Sequence, residues 1–416
     1  MDSASAAMET LDMTEADSES IEPQNPTKSS EATGTPPADS APADAASPEA
    51  TAPPASLSRS RTSTALPGNS RGAARSSGRN SGRSSGRRSG PAYPTPQQIA
   101  DAAYQIFGTH VEKMTAPGGR KRASIRVHLP DRTVIATYRP ASRRRDMELR
   151  VLRRLSEEGA GVPKLLGVHD NILFQSDAGS RRLTSELVRC RNEDLEQLVT
   201  RTYESLWEIK AAARRSGLVA DVPPVATGLE WLRDFTHEAR NLSSRLAIRS
   251  PRLKLAPLAQ SLVTLPVEFI KWDARPGNAS VQDDGSIVWF DWEHAGRRRG
   301  VEDFAFLLGD EFWTLPPTKS LSLFARSCPH DPDTLVPLLR RFSTMQIVQR
   351  ISLIESQQRK HGWNREDRAR RYDRIGTAPE LLRRLRDHGV EMALMDPQTE
   401  PLVDWFDDVT KAILSQ

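Results

Sequence analysis

The segment Lys271-Trp272-Asp273-Ala274-Arg275-Pro276-Gly277-Asn278 is followed, a short distance on, by Asp291-Trp292-Glu293. Phosphoryl transfer needs a carboxylate to orient or deprotonate the attacking hydroxyl, and oxygen ligands to hold Mg²⁺ against nucleotide phosphates. Asp273, Asn278 and Asp291 supply those atom types. A lone Asp-x-x-x-x-Asn spacing would mean little, and the bland alternative for Asp273 is a solvated loop carboxylate. What gives the group weight is that several residues agree in order and spacing on either side of an apolar stretch.

That stretch reads as a β-hairpin. Ala279 to Gln282 and Ser286 to Phe290 are strand-like runs around Asp283-Asp284-Gly285, and an Asp-Gly turn between apolar runs is a strong hairpin signal. The polar residues therefore sit on connections flanking a small rigid element. Upstream, Thr95-Pro96 followed by Ile99, Ala103, Ile106, Phe107 and Val111 predicts a capped amphipathic helix. Ser124 to Leu129 and Thr133 to Tyr138 predict a hairpin around Pro130-Asp131-Arg132. Arg143 opens a helix with Met147, Val151, Leu152 and Leu155 on one face, ended by Gly159, Gly161 and Pro163. Two more strands follow, Lys164 to Val168 and Asn171 to Gln175. Helices are expected from Leu183 to about Ser216, from Leu229 to Leu246, and after Val301, including Leu335 to Arg341 and Met345 to Gln358. The expected fold is α+β and bilobal, with a β-rich N-lobe over 93–178 and a mostly helical C-lobe over 179–416 that carries the hairpin.

The order of these motifs resembles the catalytic loop and metal-binding Asp of protein kinases. It resembles more closely the aminoglycoside phosphotransferase and choline kinase-like family, whose first motif runs roughly H-G-D-x-x-P-x-N and whose second is D-W-E. Pro276 matches the first, Trp292 and Glu293 the second, and Glu302-Asp303-Phe304-Ala305 resembles the family's D-L-A segment. The resemblance spans about residues 115 to 310. It implies a protein-kinase-like fold, ATP and Mg²⁺ as cofactors, and transfer of a phosphoryl group to a hydroxyl of a small molecule. By position, Asp273 is the candidate base, and Asn278 and Asp291 are candidate metal ligands. Arg275 is a candidate charge stabiliser, or else a partner of Asp273 or Glu293.

In the small lobe, Gly118-Gly119 is either a phosphate-covering turn or an ordinary one. Glu148 is either the partner of a nucleotide-positioning cation or an exposed helix glutamate. The sequence departs from the kinase pattern at that cation: Val134-Ile135-Ala136-Thr137 puts Thr137 where lysine is usual. Arg139, two residues on and on the same strand face, is the candidate replacement. Lys271-Trp272 also replaces the family's His-Gly. The strand from Asn171 to Asp177 would offer its backbone to adenine. A substrate pocket is expected from residues 222 to 265 and the helices after Val301, with Trp231, Phe312, Trp313, Asp310 and Glu311 either lining it or serving the core and surface.

Composition bounds the remainder. The 416 residues carry 58 basic and 54 acidic side chains, so the pI near 9.1 does not mark the whole chain as a nucleic-acid binder. Residues 1 to 92 are expected to be a disordered tail, because their large apolar residues are too few to offset ordering entropy. It is acidic and Ala/Ser/Pro-rich to about Pro54, then Ser/Gly/Arg-rich from Ser58 to Gly90 without an acidic residue. The cationic half is either a weak contact for RNA, an acidic protein or anionic lipid, or a solvated linker without the aromatic residues that stack bases. Two distant cysteines, Cys190 and Cys328, argue for a reducing compartment. No run reaches the length of a membrane span, and the expectation is a cytoplasmic protein. Two rival readings keep the same sequence: a non-catalytic nucleotide-binding module, and an adaptor acting through its basic tail.

Overall fold

Thr95 caps the first helix, α1 (Pro96–Phe107): its hydroxyl accepts from Gln98 N and the Gln98 side chain accepts from Thr95 N, with Pro96 at the first helical position. A computed structural model describes residues 93–116, 124–371 and 374–416. The expected tail over 1–92 and the Gly118-Gly119 turn lie outside the described residues. α1 buries Ile99, Ala102 and Ala103 against one face of a five-stranded antiparallel sheet. The strands are β1 (Lys113–Thr115), β2 (Ser124–His128), β3 (Thr133–Tyr138), β4 (Leu165–His169) and β5 (Ile172–Ser176), in the order β1-β2-β3-β5-β4. Val134 and Ala136 on β3 point into this small core with Val127, Ile172 and Phe174.

Between β3 and β4 runs α2 (Arg143–Glu157), capped by Ser142. Its Val151, Leu152 and Leu155 belong to the large core of the helical part, not to the core beneath the sheet. The close approach of the two parts is possible because Gly161, after α2, has no side chain. A Cβ there would lie 2.3 Å from Ile287 O, and Gly161 O accepts from Trp289 N at 2.8 Å.

The helical part contains α3 (Leu183–Arg189), α4 (Asn192–Arg215), α5 (Leu218–Asp221), α6 (Leu229–Leu246) and α7 (Leu255–Ser261). It continues with α8 (Glu302–Leu308), α9 (Pro317–Ser327), α10 (Pro332–His361), α11 (Glu366–Arg371), α12 (Pro379–Leu394) and α13 (Val403–Leu414). The mostly helical stretch expected from Leu183 to about Ser216 consists of two helices, broken at Cys190 and Arg191, and Asn192 takes φ 49°, a left-handed value that asparagine tolerates. The two helices expected after Pro332, Leu335 to Arg341 and Met345 to Gln358, are one continuous helix that runs through Pro337.

Two small sheets sit among the helices rather than the one expected: β6 (Glu268–Ile270) with β9 (Gly296–Arg298), and β7 (Ala279–Val281) with β8 (Ile287–Trp289). β6 leads directly into Lys271 and β9 collects the chain after Glu293. β7 begins immediately after Asn278, and β8 ends two residues before Asp291. The two sheets thus hold the connections 271–278 and 290–295 at both ends. Phe290 N donates to Asn278 O at 3.0 Å, which closes the mouth of the β7–β8 hairpin and places the two connections side by side.

Candidate active site

Asp273 is held from both sides. Arg275 Nε donates to its Oδ1 at 2.8 Å, and Asn278 Nδ2 donates to its Oδ2 at 3.0 Å and to its backbone O at 2.9 Å. Burial would raise this carboxyl, but the guanidinium of Arg275 and the ammonium of Lys271 outweigh it and hold Asp273 below the usual carboxylate range. The group is therefore ionised at neutral pH. Because Nδ2 of Asn278 is spent on Asp273, its Oδ1 is the atom it would offer a metal ion.

Arg139 leaves the end of β3 with its backbone N–H bonded to Asn171 O. Its Nε donates to Glu148 Oε2 at 2.8 Å and its Nη2 to Asp291 Oδ1 at 2.9 Å. Glu148 is buried, 1 % exposed, which decides against an exposed helix glutamate. Burial disfavours the Arg139 cation, yet the carboxylates of Glu148 and Asp291 hold its pKa above its ordinary value. The structure thus brings Asp273, Arg275, Asn278, Asp291, Arg139 and Glu148 into one cluster, with Glu293 at its edge, 3.9 Å from Arg144 Nη1.

The backbone here is under strain. Trp272, Asp273 and Asp291 have φ of 54°, 68° and 63°, in the left-handed region that non-glycine residues seldom enter. Each such residue costs on the order of 1–3 kcal/mol and persists only where its surroundings over-determine it.

A small antiparallel sheet, a basic residue at the end of its third strand paired to a glutamate of the following helix, and carboxylates on the connections flanking a hairpin of a helical second part form one recognisable arrangement. The fold is kinase-like. No protein-family model matches the sequence, and no curated protein sequence does. Among solved structures, the chain is similar to spectinomycin phosphotransferase in complex with ADP and spectinomycin, at 12% identity and TM-score 0.46, covering 77% of this chain and 98% of that one. It is also similar to choline kinase from Streptococcus pneumoniae, at 11% identity and TM-score 0.39, covering 70% and 98%. A Plasmodium vivax ethanolamine kinase matches at 13% identity and TM-score 0.40, over 62% and 80%.

What over-determines the strained loop is a layer of buried charge beneath it. Asp303, at the start of α8, accepts Lys271 N at 3.1 Å and Trp272 N at 2.9 Å, and also Lys210 Nζ from α4 at 2.5 Å. Lys271, fully buried, donates from Nζ to Asp291 O at 2.8 Å and reaches Asp273 O at 3.4 Å. Burial pushes this ammonium below its ordinary pKa against the pull of the surrounding carboxylates. Sequence reasoning treated Lys271 only as a replacement for the family's histidine; it is the strut joining the two connections. Asp303 entered that reading only as part of Glu302-Asp303-Phe304-Ala305, and Lys210 not at all.

The expected pocket residues divide. Phe312 and Trp313 are core side chains, and Glu311 is fully buried against Arg350 of α10, whose Nη2 donates to Glu311 Oε1 at 2.8 Å. They line no open site, because apolar bulk and a paired charge are both best accommodated in the interior. Trp231 is half-buried, stacked on Phe235 at 4.7 Å and edge-on to Trp272 at 5.7 Å. Trp272 in turn meets Phe306 at 5.2 Å, so a partly exposed aromatic wall adjoins Asp273.

The donor set suits Mg²⁺. Among the described residues no cluster of three or more His, Cys, Asp or Glu forms a metal site. Mg²⁺ characteristically takes one or two protein carboxylates and completes its shell with phosphates and water, and Asp291 with Asn278 Oδ1 offers such a partial set. Arg139→Ala is expected to weaken Mg²⁺–ATP binding and lower turnover by about tenfold or more, the scale of a lost charged hydrogen bond. Glu148→Ala is expected to do less. Titration calorimetry and steady-state kinetics check both.

Proposed function

We propose that this protein transfers the γ-phosphoryl group of ATP to a hydroxyl group of a small molecule. The observation that carries this reading is the pairing of Asp273, ionised and fixed by two donors, with a second carboxylate, Asp291, tied to the sheet's Arg139. In this reading Asn278 Oδ1 and Asp291 hold Mg²⁺, which, when bound, neutralises charge on the nucleotide phosphates. Arg139 exchanges Asp291 for phosphate oxygens, to which a guanidinium can donate bidentately, and Glu148 keeps its Nε aimed. Asp273 accepts a hydrogen bond from the acceptor hydroxyl and takes its proton as the phosphoryl group is transferred. Because phosphoryl transfer runs through a loose transition state, a weakly basic carboxylate is sufficient. The wall of Trp231, Trp272 and Phe306 is the surface an acceptor would meet beside Asp273.

The test is nucleotide binding followed by transfer. ATP should raise the melting temperature more with Mg²⁺ than with EDTA, and a panel of hydroxyl compounds should contain one that releases ADP. Asp291→Ala should bind ATP in Mg²⁺ no better than in EDTA. A wild-type protein indifferent to ATP under both conditions would sink the proposal.

A further inference from the structure

Arg182 caps the start of α3, at the end of the connection that leaves β5. That connection is firmly placed. Asp177 accepts from Arg126 at 2.9 Å, from Thr133 at 2.9 Å and from Gly179 N at 2.9 Å. Ala178 O accepts from Gln282 at 2.9 Å, and Arg181 O accepts from Val281 N at 2.8 Å. From its end the Arg182 side chain returns to the site. Its guanidinium lies over the Phe290 ring at 4.4 Å and donates from Nη1 to Gly277 O at 3.2 Å. Phe290 precedes Asp291 and Gly277 precedes Asn278, so this cation stands one residue away from each candidate metal ligand. Both Arg182 and Phe290 are partly exposed.

The inference rests on the phosphotransferase reading above. There the outer phosphates belong at Asn278, Asp291 and Arg139, and the resemblance drawn from the sequence puts the base along the strand from Asn171 to Asp177. A side chain rooted at the base end, with its charge beside the phosphate end, lies along the middle of the nucleotide. An aromatic ring under a guanidinium fixes its position at little cost in hydration. We propose that Arg182, held on Phe290, is a nucleotide-positioning residue that donates to the ribose and innermost phosphate, independently of the metal.

Calorimetric titration of the full chain with ATP plus Mg²⁺, and separately with ADP in EDTA, tests this. Arg182→Ala should weaken both by about tenfold, as loss of a charged hydrogen bond does. Phe290→Leu, which keeps the cation and removes its platform, should weaken both by less, whereas Asp291→Ala should weaken only the titration with Mg²⁺. Unliganded melting temperatures show whether each variant folds, and Phe290→Leu carries the test if Arg182→Ala does not. Wild-type affinity in the arginine variant, or a loss confined to the Mg²⁺ titration, overturns the proposal. A wild-type chain that binds neither nucleotide overturns the phosphotransferase reading instead.

Discussion

Asp273→Asn is expected to lower kcat by about 10²–10⁴-fold, the range of a lost general base, while ATP affinity stays within about twofold. The substitution is nearly isosteric, and asparagine tolerates the left-handed backbone that Asp273 adopts at φ 68°, so the loop has no steric reason to move. Its electrostatics change completely. Both carboxylate oxygens accept from donors, Arg275 Nε and Asn278 Nδ2, and an amide has only one oxygen. Its NH₂ must face one of those donors, so one hydrogen bond is lost and no anionic oxygen remains for the acceptor hydroxyl. In the proposed reading nucleotide affinity rests on other residues, chiefly Arg139 and Asp291. ADP release measured beside ATP titration separates the two effects, and wild-type turnover in the variant would remove Asp273 from the chemistry.

The parts of this site that were legible from sequence are those whose partners are close in the chain or fixed by a strong turn. The Asp283-Asp284-Gly285 turn predicts the β7–β8 hairpin, and Gly285 takes φ 81° as such a turn requires. Burial of Glu148 was also available. It stands one helical turn from Val151 and Leu152 and two from Leu155, so it shares their inward face, and a glutamate on an apolar stripe needs a buried cation. Arg139 could be named for the same reason, since strand alternation puts it on the face of Thr137.

Other parts depend on pairings with no local signature. The β6–β9 sheet is built from three-residue strands separated by the whole site, too short to show alternation. Lys210 and Asp303 meet across the fold, and nothing around either residue announces the other. Glu311 reads as a pocket carboxylate until Arg350 is brought to it from α10. Helix α10 was expected in two pieces, Leu335 to Arg341 and Met345 to Gln358, because the polar residues Arg341, Ser343 and Thr344 interrupt the apolar run, whereas the helix is continuous.

The most severe expected effect on folding falls on Asp303, which lies buried beneath the loops. Its side chain, 1 % exposed, accepts the Lys210 ammonium and the backbone N–H groups of Lys271 and Trp272. Asp303→Ala would leave Lys210 buried with only Phe269 O, at 3.0 Å, as a partner. Removing one member of a buried ion pair costs about 3–5 kcal/mol, because the remaining charge is uncompensated, and denaturant midpoints should show a loss of that order. The loop has a separate stake, since two amides that hold Trp272 and Asp273 at positive φ lose their acceptor and the strain is free to relax. The double variant Asp303→Ala with Lys210→Met distinguishes these contributions. Replacing a buried pair by apolar groups is often close to neutral, so the double variant should recover the part of the loss that comes from the stranded Lys210 charge. It should not recover turnover, because both amides remain without an acceptor and Asp273 remains misplaced. Return of activity together with stability would mean that Asp303 serves only to neutralise Lys210.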